Sequence, residues 1–212
     1  MKSRRLDGNS LGEHFVIDSF EQGSIPSKPS KLKKVENLKV GPTTFLELFA
    51  GTARLSKAIE KSGSRTLPAL DAAKGQHYNL LDGGVQEVVL GLIRGGHVWY
   101  IHLGTPCTAW SRARHGIVNH KRARQKERFA VGTALFTVKV IRECIKHKFT
   151  LENPSSSRLW QFKPIEDLFQ NKSICFFSFD HCRFGMPFRK RTAIMTNEKA
   201  LLSLAMSCEG GH

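Results

Sequence analysis

The sequence predicts an α/β fold built on one sheet of seven mostly parallel strands, the last of which runs in the opposite direction. From residue 44 onward, short apolar runs alternate with amphipathic helical segments, which is typical of parallel strands joined by crossover helices. The last two apolar runs, SICFFSFDHC and KRTAIMTN, are separated only by the short link RFGMPF. Because no helix fits between them, they must pair antiparallel.

The first half of the chain predicts a tail, three strands and two helices. Residues 1–40 contain GSIPSKPSKLKK, which is rich in Ser, Pro and Lys and has little to bury, so they are predicted to be a disordered basic tail. TTFLELF is the first strand, and ARLSKAIEKSG is an amphipathic helix that ends at Gly63. RTLPAL is a second strand ending at Asp71, residues 77–81 are a weak third strand, and VQEVVLGLIRGG is the next helix.

The second half continues the alternation. HVWYIHLG is a buried fourth strand, and ERFAVGTALFTVKVIRECIKH is a long helix with apolar residues near the 3.6-residue period. FTLEN is the fifth strand, KPIEDLFQN is a short helix, and the antiparallel pair closes the sheet. We therefore predict one catalytic or binding domain over residues 41–200 and a short tail over residues 201–212.

Composition indicates a polyanionic partner. The chain of 212 residues has 33 Lys and Arg against 18 Asp and Glu, a formal net charge of +15. This favours nucleic acid, and the alternative is a merely solvated basic surface.

The five cysteines are far apart and form no CxxC pair, which argues against a disulfide framework and a zinc site and favours a reducing compartment. No apolar run approaches the roughly 20 residues that span a bilayer, and the N-terminus lacks the apolar region of a secretory signal.

Polar residues and glycines follow the predicted strands at the edge where ligands bind in open parallel sheets. Glu47 and the Gly51 turn follow the first strand, Asp71 ends the second, and Asn79 or Asp82 ends the third. Taken singly, Asp71 is better explained as a turn or helix-capping residue. A glycine turn followed about 20 residues later by an acid nevertheless suggests a nucleoside-bearing cofactor.

Cys107 follows a proline at the end of the fourth strand, in GTPC. An isolated cysteine is usually a buried core residue. Here Arg112 and Arg114 follow closely, and residues 112–128 contain seven Lys or Arg against one Glu, which suits a mobile basic segment beside a reactive thiol. Glu152 ends the adjacent fifth strand, in ENP, within reach of whatever Cys107 attacks.

Four motifs in this order resemble those of the C5-cytosine-specific DNA methyltransferases. FLELFAGTARLSKAIEKSG resembles their cofactor motif, TPCTAWS their catalytic Pro-Cys motif, LENPSSSRLW their ENV motif, and FGMPFRKRT their FGxPQxRxR motif. The resemblance covers about residues 44–197 and is closest to compact phage or mobile-element members without a target-recognition domain. It implies the Rossmann-like class I methyltransferase fold and S-adenosylmethionine as cofactor.

The resemblance also implies roles for individual residues. Cys107 would add to C6 of cytosine and Glu152 would hydrogen-bond its N3 and exocyclic amine, while Pro106 and Asn153 shape the site and Arg191 is one candidate for the arginine of the last motif. The implied cofactor-binding residues are Glu47, Phe49, Ala50, Gly51, Thr52, Asp71, Asn79, Asp82 and Thr105. The implied nucleic-acid-binding residues are Ser111, Arg112, Arg114, Lys121, Arg122, Arg124, Arg189 and Lys190. No metal is implied.

The chain departs from the family pattern at several positions. Ala53 and Arg54 replace two motif glycines, Phe188 replaces the usual Gln, and Thr192 stands where an arginine is expected. The target-recognition domain and the last two motifs have no counterpart, so a separate recognition subunit is one expectation. DNA is the first substrate expected, with tRNA and a catalytically degenerate nucleic-acid-binding role as alternatives. The expected location is intracellular: the nucleus in a eukaryote, or the cytoplasm and nucleoid for a phage or bacterial protein.

Overall fold

The computed structural model describes residues 44–111 and 120–210, with side chains of the second range described from residue 123. Within them, one six-stranded sheet has the order β2-β1-β3-β4-β6-β5. The strands are β1 (Thr44–Leu48), β2 (Arg65–Thr66), β3 (Tyr100–Leu103), β4 (Lys148–Pro154), β5 (Cys175–Asp180) and β6 (Arg191–Thr196). Short apolar runs bounded by turn residues account for each of the longer strands.

Strand direction agrees with the sequence prediction. β1 pairs in parallel with β2 and β3, and β3 pairs in parallel with β4. β6 is antiparallel to both of its neighbours, β4 and β5. The predicted α/β fold class, a mostly parallel sheet with a reversed last strand, is therefore confirmed, and the reversed strand is inserted between β4 and β5.

The predicted third strand over residues 77–81 is wrong, so the described sheet has six strands and not seven. A short 3-10 helix occupies Gln76–Tyr78. The Asn79 Oδ1 accepts a hydrogen bond from the Leu81 backbone N–H at 3.1 Å, and the Asp82 Oδ1 accepts one from the Val85 N–H at 3.1 Å. These local bonds turn the backbone and begin a helix, so the backbone over residues 77–81 cannot continue as an extended strand.

Four α-helices flank the described part of the sheet: α1 (Arg54–Lys61), α2 (Gly83–Arg94), α3 (His120–Glu143) and α4 (Lys163–Glu166). α3 begins at His120, seven residues before the predicted start at Glu127. The segment HKRARQKE contains only residues compatible with a helix and neither Gly nor Pro. Part of the segment expected to be a mobile basic loop is therefore helical.

The two faces of the sheet differ in polarity. Alternate residues of a strand point to opposite faces of the sheet, and Leu46, Ile101 and Leu151 share one face. This face packs with α2 and α3 in the main apolar core. On the other face, Glu47 lies beside His102. The His102 Nδ1 is 2.8 Å from the Thr150 Oγ1, and burial lowers the pKa of His102 to about 4, so its imidazole is neutral at physiological pH.

The segment after β6 packs against β5. A 3-10 helix covers Lys199–Leu204, and the Cys208 N–H then donates to the Asp180 Oδ2 at 2.7 Å. The tail predicted over residues 1–40 lies outside the described residues. In the described part of the chain, no helix has the length and apolar character needed to cross a membrane.

Candidate functional site

The turn after β1 adopts an unusual backbone conformation. Phe49, Gly51 and Ala53 all have positive φ, at 56°, 50° and 54°. For Phe49 and Ala53 this left-handed conformation costs about 1–2 kcal/mol each, and such strain persists only where the surroundings impose it. A Cβ built on Gly51 meets nothing within 4 Å, so the turn faces open space. The turn therefore has the open, backbone-lined shape that a ligand can enter.

Asp71 lies directly beside this turn. Its Oδ2 accepts the Gly51 N–H at 2.7 Å, and its Oδ1 accepts the Ala73 N–H at 2.8 Å. The carboxylate thus links two turns that are 20 residues apart in sequence, while its remaining lone pairs can accept further donors. The local explanation of Asp71 is confirmed, since it caps the turn at Ala73, and its role in binding a cofactor stays a prediction.

Glu47, predicted to bind cofactor, is buried and has a partner within the fold. Its Oε2 accepts hydrogen bonds from both the backbone N–H and the hydroxyl of Ser56. Ser56 is in the first turn of α1, whose preceding residue, Ala53, offers no side-chain cap. Glu47 therefore supplies the missing N-terminal cap of α1 and fixes the turn over residues 49–53 from below.

Gly104, which the sequence analysis did not include among the site residues, brings the ends of β1 and β3 together. Its N–H donates to the Leu48 carbonyl at 3.0 Å, and a Cβ at this position would lie 3.1 Å from the Phe49 carbonyl oxygen. The glycine of GTPC is therefore needed because two loops meet there. Its sequence signal is weak, since glycines commonly follow strands.

The family resemblance implies that this turn binds S-adenosylmethionine, so Gly51→Ala is expected to weaken that binding by about tenfold. An L-residue destabilises the left-handed backbone by about 1 kcal/mol, and its methyl group enters the open turn. Isothermal titration of the cofactor measures this. Gly63→Ala is the matched control: it also has positive φ and open space, but it follows α1 away from the turn. Equal loss of affinity in both variants would contradict the assignment of the turn.

Two buried hydrogen bonds hold the loop that carries Cys107. The Thr105 Oγ1 is 2.7 Å from the Thr137 Oγ1 of α3, and the Asn153 Nδ2 donates to the Thr105 carbonyl at 2.6 Å. Thr105 and Asn153 are 48 residues apart in sequence. The end of β4 is therefore attached directly to the segment before Pro106 and Cys107, so Asn153 positions the cysteine loop.

Two buried polar atoms in the described residues lack a hydrogen-bond partner, and both are near this loop: the Asn153 Oδ1 and the Trp110 Nε1. The Trp110 ring packs against Phe162 at a centroid distance of 5.2 Å. Unsatisfied buried polar atoms are rare in folded proteins, so the segment around Cys107 departs from the usual pattern.

Asn153→Ala is expected to lower the free energy of unfolding by about 1–3 kcal/mol, because it leaves the Thr105 carbonyl buried without a donor. It should also reduce any activity that depends on Cys107. Asn197→Ala is a matched control, since Asn197 bonds the backbone of Phe149 and His147 near the start of β4. Urea unfolding and turnover should separate them: both variants lose stability, and only Asn153→Ala loses activity. Loss of activity in both would argue against a positioning role.

Glu152 lies at the adjacent strand end, next to Asn153. Burial raises the pKa of its carboxyl, and the positive charge of Lys190 partly opposes that rise. A carboxyl with a raised pKa keeps its proton closer to neutral pH, so it can donate a hydrogen bond. Glu152 is thus a half-buried carboxyl beside the strand end that Asn153 joins to the cysteine loop.

The cations at this edge have different surroundings. Lys190 is exposed and acts electrostatically on Glu152. Arg191 donates to the hydroxyls of Ser178 and Ser207, at 3.3 and 3.4 Å, and so is directed toward β5 and the C-terminal segment. Arg189 donates to the buried Asp180 at 3.2 Å. Of the three residues that could replace the arginine of the last motif, Lys190 is the one whose charge acts on Glu152.

The remaining predicted site residues lie around this edge or outside the described residues. Phe49, Ala50, Thr52 and Pro106 are in the two loops, Ser111 follows the 3-10 helix after Cys107, and Arg124 is exposed on α3. Asn79 and Asp82 make the local turn bonds described above, so their side chains are partly used within the fold. Arg112 and Arg114 lie outside the described residues, as do the side chains of Lys121 and Arg122. No cluster of three or more His, Cys, Asp or Glu suited to a metal occurs within the described ranges.

Comparison with known proteins finds similarity only among solved structures. No protein-family model matches the chain, and no curated protein matches it. Among the similar solved structures are the Dnmt2 methyltransferase of S. pombe, with 13% identity over 74% of this chain and 50% of that one and a TM-score of 0.47. A mutant DNMT2 of Spodoptera frugiperda has 17% identity over 73% and 49%, with a TM-score of 0.44. The methyltransferase EhMeth of Entamoeba histolytica has 14% identity over 73% and 52%, with a TM-score of 0.47. The chain spans about half the length of each of these proteins.

Proposed function

We propose that this chain is an S-adenosylmethionine-dependent methyltransferase that methylates C5 of cytosine in DNA through a covalent cysteine adduct. The observation that carries the proposal is the 2.6 Å hydrogen bond from Asn153 to the Thr105 carbonyl. It joins the strand end that bears Glu152 to the loop that bears Cys107. A proton-donating carboxyl and a thiol on adjacent strand ends are the groups that addition to cytosine requires.

The residues around the first turn suit the cofactor. The open turn over residues 49–53 exposes backbone at Gly51, and Asp71 beside it offers carboxylate lone pairs to a ribose diol. Phe49, Ala50 and Thr52 belong to the same turn, and the Gly104 N–H joins the end of β1 before it to the loop that carries Cys107. S-adenosylmethionine, when bound, supplies an electrophilic methyl group on a sulfonium.

The chain's own residues account for the remaining chemistry. The Cys107 thiolate forms a bond to C6 of cytosine, and the electrons of the C5–C6 double bond move toward N3 and make C5 nucleophilic. Glu152 donates to N3 and accepts from the exocyclic amine, which stabilises that charge. Once C5 carries the methyl group, its proton would pass to water and the N3 proton would return to Glu152, so that the C5–C6 double bond re-forms and the Cys107 sulfur leaves as thiolate.

The basic surface suits the substrate. The target base must leave its stack, at roughly a few kcal/mol, to reach Cys107 and Glu152. Exposed Arg124 and Lys190 flank this edge and can contact the phosphates on either side of the extruded nucleotide. Phosphate contacts position the chain on DNA without reading its sequence, so we expect limited sequence selectivity from the described residues alone.

A transfer assay tests the function. The full chain is incubated with S-adenosylmethionine carrying a labelled methyl group and with duplex DNA, single-stranded DNA or tRNA, and the nucleosides are then separated. We expect label in 5-methylcytosine from DNA. Label only from tRNA would reassign the substrate to RNA, and nucleic-acid binding without label in any substrate would favour the catalytically degenerate alternative.

A further inference from the structure

The loop between β5 and β6, residues 181–190, exposes three large apolar side chains within five residues. Phe184 is 47% exposed, Met186 40% and Phe188 50%. Single exposed apolar residues are ordinary on protein surfaces, but a cluster of this kind marks an interaction site. Phe188 is also the position at which the family pattern has Gln, so the ring is a departure specific to this chain.

The loop is at the same edge of the sheet as the candidate catalytic carboxyl. Asp180, where β5 ends, pairs with Arg191, and Thr192 pairs with Pro154 at the end of β4. The charge of Lys190, in the same loop, reaches Glu152. The exposed rings therefore flank the place where the target base would be held.

Cations alternate with these rings. Residues 181–191 contain Arg183, Arg189, Lys190 and Arg191 and no acidic residue, although Arg183 and Arg189 are paired with Glu209 and Asp180 outside this segment. A protein partner would favour an apolar centre depleted of charge, with polar residues only at its rim. Aromatic side chains interleaved with cations are instead the combination that binds single-stranded nucleic acid, where rings stack on bases and cations contact the backbone.

The fold holds this loop in one conformation. Gly185 turns the chain with φ of 87°, the His181 N–H donates to the Lys190 carbonyl at 3.1 Å, and the Phe184 ring packs edge-on against Phe179 at 5.4 Å. Asp180 binds the Arg189 side chain and the Cys208 N–H from below. A surface that is already ordered loses little entropy when it binds.

We propose that the 181–190 loop is a stacking platform for an unpaired base next to the target cytosine, with Phe188 as the principal ring, so that the chain prefers single-stranded nucleic acid to duplex. Inside a duplex both faces of each base are covered by neighbours, so an exposed phenylalanine can stack only on a base that is already unstacked. This inference rests on the proposed function in placing the target base at Glu152, and it names the strandedness of the substrate.

Equilibrium binding tests the platform with the full chain and fluorescently labelled oligonucleotides of one cytosine-containing sequence: single-stranded DNA, single-stranded RNA and duplex DNA. We expect single strands to bind at least about tenfold more tightly than duplex, and Phe188→Ala to lose about tenfold of single-strand affinity. Phe176→Ala is the matched control, a phenylalanine 45% exposed near the start of β5, toward the other end of that strand.

A salt series separates stacking from charge. Phe188→Ala should lower single-strand affinity without changing the slope of log affinity against log salt, whereas Lys190→Met should reduce that slope by about 0.7. Equal affinity for duplex and single strands, or a loss in Phe188→Ala no greater than in Phe176→Ala, overturns the inference. If Phe188→Ala still lowers affinity, the platform is supported. A preference for DNA over RNA, or the reverse, then shows which of the two nucleic acids it binds.

Binding and transfer can fail separately. Absence of methyl transfer together with a Phe188-dependent single-strand preference would remove the proposed function and leave the platform standing. Methyl transfer to duplex DNA that is unaffected by Phe188→Ala would remove the platform and leave the proposed function standing.

Discussion

Cys107→Ala is expected to abolish methyl transfer, with a loss on the order of 10⁴-fold or more, because no other group can form the bond to C6 that makes C5 nucleophilic. Cofactor and nucleic-acid binding should be retained, since the Cys107 side chain is only partly buried and holds no other element in place. Transfer of a labelled methyl group measures the loss.

Cys175→Ala is the matched control for this variant. Cys175 is also partly buried, but it begins β5 at the opposite edge of the sheet from the candidate site. Its replacement should leave transfer unchanged. Residual transfer by Cys107→Ala above a few per cent of the wild-type rate would contradict the nucleophilic role.

Glu152→Gln is expected to reduce methyl transfer by about 10²–10³-fold, because the amide can donate and accept hydrogen bonds but cannot release a proton to N3. The same variant should be more stable than the wild type at neutral pH. Burial raises the pKa of Glu152 in the folded state above its ordinary value of 4.5, so ionising it costs folding free energy.

The sign of this effect sets the pH window. The contribution of protonated Glu152 to the free energy of unfolding is fully present below pH 4.5 and is lost as pH rises through the raised pKa. The extra stability of Glu152→Gln over the wild type should therefore vanish in acid. Glu198 predicts the opposite behaviour. Hydrogen bonds from the Ala200 N–H and from Lys148 lower its pKa, so Glu198→Gln should destabilise the fold at neutral pH and become neutral in acid. Thermal unfolding of both variants between about pH 2 and 8 measures this contrast, because the lowered pKa of Glu198 lies below 4.5, and the same sign in both variants at neutral pH would contradict the account of Glu152.

Much of the sheet could be predicted from the sequence because its long strands are apolar runs bounded by turns. The final antiparallel pair followed from the short link between β5 and β6. The segment over residues 77–81 could not be assigned in this way, because a short apolar run is ambiguous and its conformation is set by the side chains of Asn79 and Asp82. The start of α3 was also missed. Its first residues are charged and lack apolar residues at the 3.6-residue spacing of a helix, so they look like a basic loop in the sequence.

The strand ends at which the candidate residues lie were easier to predict than the contacts that those residues make. Cys107 and Glu152 could be assigned to adjacent strand ends from their place in GTPC and ENP. The pairing of Asn153 with Thr105, and of Glu47 with Ser56, depends on the register of strands and helices that are distant in sequence or joined by a turn. The close approach of Gly104 to the Phe49 carbonyl likewise becomes visible only when the two loops are placed together.

The electrostatic role of Lys190 illustrates the same limit. Sequence spacing made Arg191 a candidate for the arginine near the catalytic pair, but a one-residue difference places a side chain on the other face of a strand. Arg191 is directed to Ser178 and Ser207, and the charge of Lys190 reaches Glu152.

Covalent trapping with 5-fluorocytosine tests the central claim, attack by Cys107 on C6, most directly. Fluorine at C5 cannot leave as a proton does, so the re-formation of the C5–C6 double bond is blocked and the protein stays attached to the nucleic acid. The full chain is mixed with S-adenosylmethionine and with fluorocytosine-containing duplex DNA, single-stranded DNA or tRNA, and peptide mass spectrometry locates the adduct. We predict an adduct at Cys107 that Cys107→Ala does not form and Cys175→Ala retains. The absence of an adduct with every substrate, or an adduct at another cysteine, would contradict the account.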